Sequence, residues 1–212
     1  MEATLRLARG RLRRAPYVMS VAERLLIGRL KARDEQAFND IVRLYGDKVF
    51  SLVYRMIGSR PEAEDIAQEV FVTVFKTVDG FRGESKFSTW LLRIAANHCK
   101  NRIKYLSRRH DRATGELDEA AERDAVAQGG AAIGAARIEA PDRMLEGAQM
   151  EQMVQRAIAA LDEDHRLVVV LRDIEELSYE EIASIAGVPE GTIKSRLHRA
   201  RLALKEKLGK HM

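Results

Sequence analysis

Cysteine is nearly missing from this chain of 212 residues: with Cys99 alone, no intramolecular disulfide and no multi-cysteine metal site can form, which fits a reducing cytoplasm. Long apolar runs are missing as well. The longest wholly apolar stretches, such as LVVVL at 167–171, are far too short to cross a bilayer. The N-terminus carries Arg6, Arg9, Arg11, Arg13 and Arg14, but it has neither the apolar stretch nor the small-residue cleavage site of a secretion signal. A soluble, unexported, cytoplasmic protein is expected. Strand signals are almost absent, since β-branched residues do not alternate with polar ones over any useful length. There is no glycine-rich phosphate loop, and His98 and Cys99 are adjacent, so they project to different sides of a helix. That is poor geometry for a metal site or a nucleophile–base pair, so no catalytic residue, metal or cofactor is expected.

What is present is helical periodicity over an apolar content of 46%, enough to build real cores. The expected class is all-α, with two small helical domains joined by a flexible linker. In the first block the spacing predicts helices near 22–33 and 35–56, the second burying Phe38, Ile41, Val42, Tyr45, Val49, Leu52 and Val53. Ser59, followed by Pro61 and Glu62, reads as a capping box that starts a third helix running to about Val78. Ser88 or Thr89 is expected to cap a fourth, reaching about Arg108. Residues 109–140 read as the linker: an acidic patch (Glu116, Asp118, Glu119, Glu122, Asp124) precedes AQGGAAIGAAR, which is too small and glycine-rich to order itself. Pro141 opens the second block, 141–212, with helices near 142–160, 163–175, 178–185 and 190–207.

The formal net charge of +4 hides a segregation. Acids dominate from Leu161 to Pro189, whereas the following segment carries Lys194, Arg196, Arg199, Arg201, Lys205, Lys207 and Lys210. Ser178 with Glu181 forms a capping box; the short helix it starts ends at Ala186-Gly187, where glycine can turn the chain, and a longer basic helix begins directly after Pro189. This is the helix-turn-helix pattern. Ile193, Leu197, Ala200, Leu204 and Leu208 form its buried stripe. Thr192, Lys194, Ser195, Arg196, His198 and Arg199 lie off that stripe, where a recognition helix meets base edges and phosphates. The bland alternative is a helical hairpin with a solvated basic face.

The fourth helix is two-faced: Leu92, Ala95, Cys99 and Ile103 form a core side, and Arg93, Asn97, Lys100, Asn101, Lys104 and Arg108 a polar side that begins at Trp90. Cations follow phosphates while amides and rings receive unstacked bases, so this track suits opening DNA. Before it stands FRGESKFSTW, residues 81–90, whose Phe81 and Phe87 read as core when taken alone.

DIAQEVFVTVFKTVDGFRGESKFSTWLLRIAANHCKNR, with LSYEEIASIAGVPEGTIKSRLHRAR beyond the linker, resembles bacterial RNA polymerase sigma factors of the extracytoplasmic-function (ECF) class. The resemblance covers about 22–108 and 142–208, and it implies a promoter-recognition subunit rather than an enzyme. On it, residues 22–108 correspond to region 2 and 141–212 to region 4. Asp65, Gln68 and Glu69 match the segment that docks on the β′ coiled coil of core polymerase. The loop of Phe81, Arg82, Gly83, Glu84, Ser85, Lys86 and Phe87 matches the segment that captures a base flipped from the −10 element, with Asn97 lining the site and Trp90, Arg93, Lys100, Asn101 and Lys104 alongside. Phe81 and Phe87 are expected to anchor and shape the loop, with its 82–86 segment meeting the base. The C-terminal basic helix matches the reader of the −35 element. Core polymerase, promoter DNA and an anti-sigma factor, which could hold the chain at the inner membrane, are the implied partners. Residues 1–21 are a basic extension expected to be disordered; Met19-Ser20 looks like a more usual start, so 1–18 read either as a misassigned start or as a loose arm. A conventional helix-turn-helix regulator independent of polymerase is the alternative; it accounts for 178–208 but not for the Asp65 and Trp90 helices.

Overall fold

The computed structural model describes Tyr17, residues 19–114 and residues 141–209, with backbone alone at 110–114 and 141–148. Most of the basic extension, the acidic patch and the glycine-rich stretch of the expected linker lie outside the described residues. Within them the chain is helical and holds no strand. The N-terminal module comprises α1 (Val21–Lys31), α2 (Glu35–Ile57), α3 (Arg60–Thr77) and α4 (Phe87–Thr114), with a short 3₁₀ turn at Val78–Gly80 after α3. The C-terminal module comprises α5 (Pro141–Ala159), α6 (Glu163–Val169), α7 (Tyr179–Ala186) and α8 (Glu190–Gly209). No described helix is long and apolar enough to cross a membrane.

The apolar spacing builds these helices as read, but several ends differ. Ser20 and Asp34 cap α1 and α2 through their side chains. Ser59 does precede α3, but its hydroxyl makes no capping bond, and the Glu62 side chain that would complete the box meets Arg102 on α4 at 3.2 Å instead. The α4 helix starts at Phe87, ahead of both Ser88 and Thr89. Burial of the Phe87 ring fixes that start, and Glu23 of α1 accepts the Phe87 N–H at 3.4 Å, a cap supplied from 64 positions away. Thr89 is itself buried, its hydroxyl unpartnered. The helix continues to Thr114, past the expected linker boundary at 109. After α6 the chain widens into a π turn, Val170–Ile174. The Ser178–Glu181 capping box forms in full, and Gly187, at φ +70, makes the turn into α8.

The two modules share a core rather than sitting apart. One hydrophobic cluster runs from Ile27, Leu52 and Leu92 in the first to Leu167, Leu171 and Ile193 in the second. Its polar seal is the C-terminal end of α2, whose last carbonyls have no partner within the helix. Buried Gln155 on α5 donates to the carbonyls of Tyr54 at 3.2 Å and Arg55 at 3.4 Å. Arg166 on α6 donates to Met56, Ala159 and Leu161 carbonyls, placing a cation where the helix dipole favours one.

Candidate nucleic-acid interface

The loop before α4 is hung on buried rings. Phe81 and Phe87 are 4% and 0% exposed, their centroids 5.4 Å apart edge to face, with Trp90 5.5 Å and 5.6 Å from them and Tyr45 5.5 Å from Phe87. Neither phenyl ring can meet a base in this arrangement. Both rings lie inside the scaffold, and the loop's surface is formed by Arg82, Glu84 and Lys86, which are exposed, and by half-buried Gly83 and Ser85. Lys31 ties the scaffold down by donating to the Phe81 carbonyl at 2.8 Å. Gly83 has φ +76, and a Cβ there would come within 3.0 Å of the end of the Met19 side chain, so the loop's path depends on glycine.

Along α4, Arg93, Asn97, Asn101 and Lys104 are exposed on one face, as the spacing predicts. Trp90 is half-buried at the head of that face. Together with Thr73, Thr77, Gly80, Ile94 and His98, residues Trp90, Asn97 and Asn101 line an open groove of about 400 Å³ between α3 and α4. His98 escaped the sequence reading as part of this wall. Its Nε2 lies 3.0 Å from the Thr73 hydroxyl, whose oxygen is also 2.8 Å from the Glu69 carbonyl. Its Nδ1 is 3.5 Å from the Glu69 carboxylate. No pattern within α4 could have signalled this, because the partners sit on α3.

On α3, Asp65, Gln68 and Glu69 are all exposed and share one face by their i, i+3, i+4 spacing, while Ile66, Val70 and Val74 are buried. On α8, Lys194, Ser195, His198 and Arg199 are exposed and Thr192 and Arg196 half-buried, while Ile193, Leu197 and Ala200 are in the core. The Lys194 ammonium sits 5.6 Å from the Tyr179 ring centre, and the Ser195 hydroxyl donates to the Thr192 carbonyl at 3.0 Å.

Three of the candidate DNA-contacting cations are occupied. Lys86 lies 2.9 Å from Glu181, Lys100 3.0 Å from Asp164, and Arg196 2.7 Å from the same Asp164. Burial acts to raise the Glu181 pKa, but the hydrogen bonds it accepts from Lys86 and Ser178 outweigh this and hold the carboxyl below its usual range. The remaining chemistry is sparse. Burial pushes the Cys99 thiol up to about 12, far from a reactive thiolate, and the described residues hold no cluster suited to a metal ion.

The comparisons agree with this arrangement of two helical modules. A family profile described as Sigma-70 region 2 matches residues 41–109, and one described as Sigma-70, region 4 matches residues 151–204. The chain is 38% identical over 188 residues to the ECF RNA polymerase sigma-E factor of Escherichia coli, spanning 89% of this chain and 95% of that protein. It is 37% identical over 183 residues to the RNA polymerase sigma-H factor of Pseudomonas aeruginosa, spanning 86% of this chain and 92% of that one. Among solved structures, the sigma factor RpoE in complex with the anti-sigma factor NepR from Bartonella quintana aligns with a TM-score of 0.62 at 26% identity, covering 81% of this chain and 96% of that one. CnrH in complex with the cytosolic domain of CnrY has the same fold, with a TM-score of 0.62 at 21% identity, covering 90% of this chain and 99% of that one.

Proposed function

The chain belongs to the sigma-70 family, in its extracytoplasmic-function class, and on that premise we propose how its parts divide the work of promoter recognition. It is a sigma factor: it binds core RNA polymerase and directs promoter-specific initiation of transcription. The N-terminal module, residues 22–108, docks on the β′ coiled coil through Asp65, Gln68 and Glu69 and helps open the −10 element. The loop surface of Arg82, Gly83, Glu84, Ser85 and Lys86 meets the flipped base, and Trp90, Arg93, Asn97, Lys100, Asn101 and Lys104 follow the strand. The C-terminal module, 141–212, reads the −35 duplex through Thr192, Lys194, Ser195, Arg196, His198 and Arg199. The chain supplies recognition and carries no chemistry of its own.

The observation that carries this reading is the exposed amide-and-cation face of α4, headed by Trp90 and paired in one chain with a helix-turn-helix whose α8 exposes Lys194 and Arg199. Unstacking a base costs a few kcal/mol and a protein pocket returns about 1–3 kcal/mol, so one pocket roughly offsets one flip and polymerase must share the opening. Regulation by an anti-sigma factor fits the RpoE neighbour, which was solved with one bound; a membrane-bound partner of that kind would hold the chain at the inner membrane.

Run-off transcription with purified core polymerase tests the reading, with promoter-specific starts as the expected result. A polymerase-independent regulator would give none. In the same assay Asn97→Ala is expected to weaken open-complex formation while sparing polymerase binding; unchanged transcription from a cognate promoter would remove the pocket assignment. Arg199→Ala is expected to weaken binding to −35 duplex by about tenfold, the usual cost of one lost base or phosphate contact.

A further inference from the structure

The 82–86 loop is gripped at both ends by one short segment at the start of the described chain. Lys31 of α1 donates to the Phe81 carbonyl at 2.8 Å and Glu23 accepts the Phe87 N–H at 3.4 Å, contacts that span 50 and 64 positions and close on either side of the loop. The other Glu23 oxygen accepts a hydrogen bond from the Tyr17 hydroxyl. Tyr17 and Glu23 are both half-buried, and between them Ser20 caps α1 by accepting the Glu23 N–H at 3.1 Å. Met19 fills the middle: its side chain packs against the core and ends 3.0 Å from where a Cβ on Gly83 would stand. Tyr17 and Met19 thus bear on the loop although they precede the first helix, in the stretch that reads from sequence as a basic extension.

We propose that Tyr17 and Met19 form a strap that positions the base-capturing loop, with Glu23 relaying the hold of Tyr17 to the first N–H of α4. The proposal rests on the base-capturing role given above. Phe81 and Phe87 anchor the ends of the loop, but the residues between two anchors keep many backbone conformations, and ordering them when a base arrives subtracts from the affinity for it. A loop held in shape beforehand avoids that loss. The bond from Tyr17 is charge-assisted, and it directs one carboxylate oxygen of Glu23 so that the other faces the Phe87 N–H. Met19 acts through shape: its unbranched thioether chain fills the irregular space beside Gly83, where the lack of a side chain leaves room for it. Both are positioning residues, acting on the base through the loop. A chain begun at Met19 would lack the Tyr17 half of the strap.

The test uses the full chain bound to core polymerase and measures its affinity for two forked DNAs built on a cognate promoter, one carrying the captured base and one abasic at that position. The unaltered chain should prefer the base-bearing fork. Tyr17→Phe, which removes only the hydroxyl, should weaken binding to that fork about fivefold and leave the abasic fork within about twofold, the low end of coupling between a remote group and a ligand. Glu23→Gln should do the same, and the two together should lose no more than either alone, since both break one relay. Met19→Ala should give the same selective loss through packing. Full preference retained by Tyr17→Phe or Met19→Ala, an equal loss on both forks, or additive losses in the double variant would overturn the strap, because general destabilisation does not distinguish the forks. No preference for the base-bearing fork in the unaltered chain would instead remove the base-capturing reading, and the strap's role with it.

Discussion

Phe87→Ala should lower the stability of the folded chain by about 3–5 kcal/mol, the range for removing a fully buried phenyl ring. The ring is 0% exposed, and it touches Phe81, Trp90 and Tyr45 through centroid separations of 5.4–5.6 Å, so its loss opens a cavity bordered by three other rings. The same residue starts α4, and its N–H is held by Glu23. A functional loss should therefore accompany the structural one: a displaced loop start shifts the 82–86 surface and Trp90 together. Urea unfolding measures the first effect and permanganate footprinting of the opened promoter the second. A drop below about 1 kcal/mol would mean that the ring is not part of the core.

Arg166→Ala comes next in size, with an expected loss of about 3 kcal/mol. The guanidinium serves the Met56 carbonyl of the first module and the Ala159 and Leu161 carbonyls of the second. Burial lowers its pKa from the usual arginine range, yet it remains a cation at the C-terminal end of α2. Alanine would leave those carbonyls without their side-chain donor and loosen the seam between the modules. Arg166→Lys should not restore the loss, because an ammonium cannot present the planar fork that spans acceptors from two helices. Hydrogen exchange at the end of α2 and across α6 would report the loosening; unchanged protection there would show that the seam does not depend on this side chain.

The helices were legible because their signal is local. An apolar stripe repeating every 3.6 residues marks a buried face wherever the partner lies, as in Ile193, Leu197 and Ala200. The Ser178–Glu181 box and the Gly187 turn were legible for the same reason, since every atom involved lies within a few residues. Ser59 shows where that logic stops. Its box was written in the sequence just as clearly, but Arg102, 40 positions away from Glu62, offered the glutamate a better partner than the helix start did. The rings of FRGESKFSTW divide in the same way. Burial of Phe81 and Phe87 follows from their chemistry, whereas the half-buried place of Trp90 and the entry of His98 into the groove depend on how α3 lies beside α4.

By itself the sequence determined the helical class, the order of two modules, the helix-turn-helix and the polar track on α4, because each is carried by periodicity or by a motif closed within a short stretch of chain. It also displayed the separation of acids from bases between 161 and 210, without showing what those acids meet. The tertiary structure alone decided that they meet the other module: Lys100 with Asp164 and Lys86 with Glu181 are pairs between residues 64 and 95 positions apart, and Ser51 with Glu175 spans 124. Charge in a sequence gives sign and density. Which cation a carboxylate holds is set by distance and by the exclusion of water, and both exist once the two modules have closed on a common core.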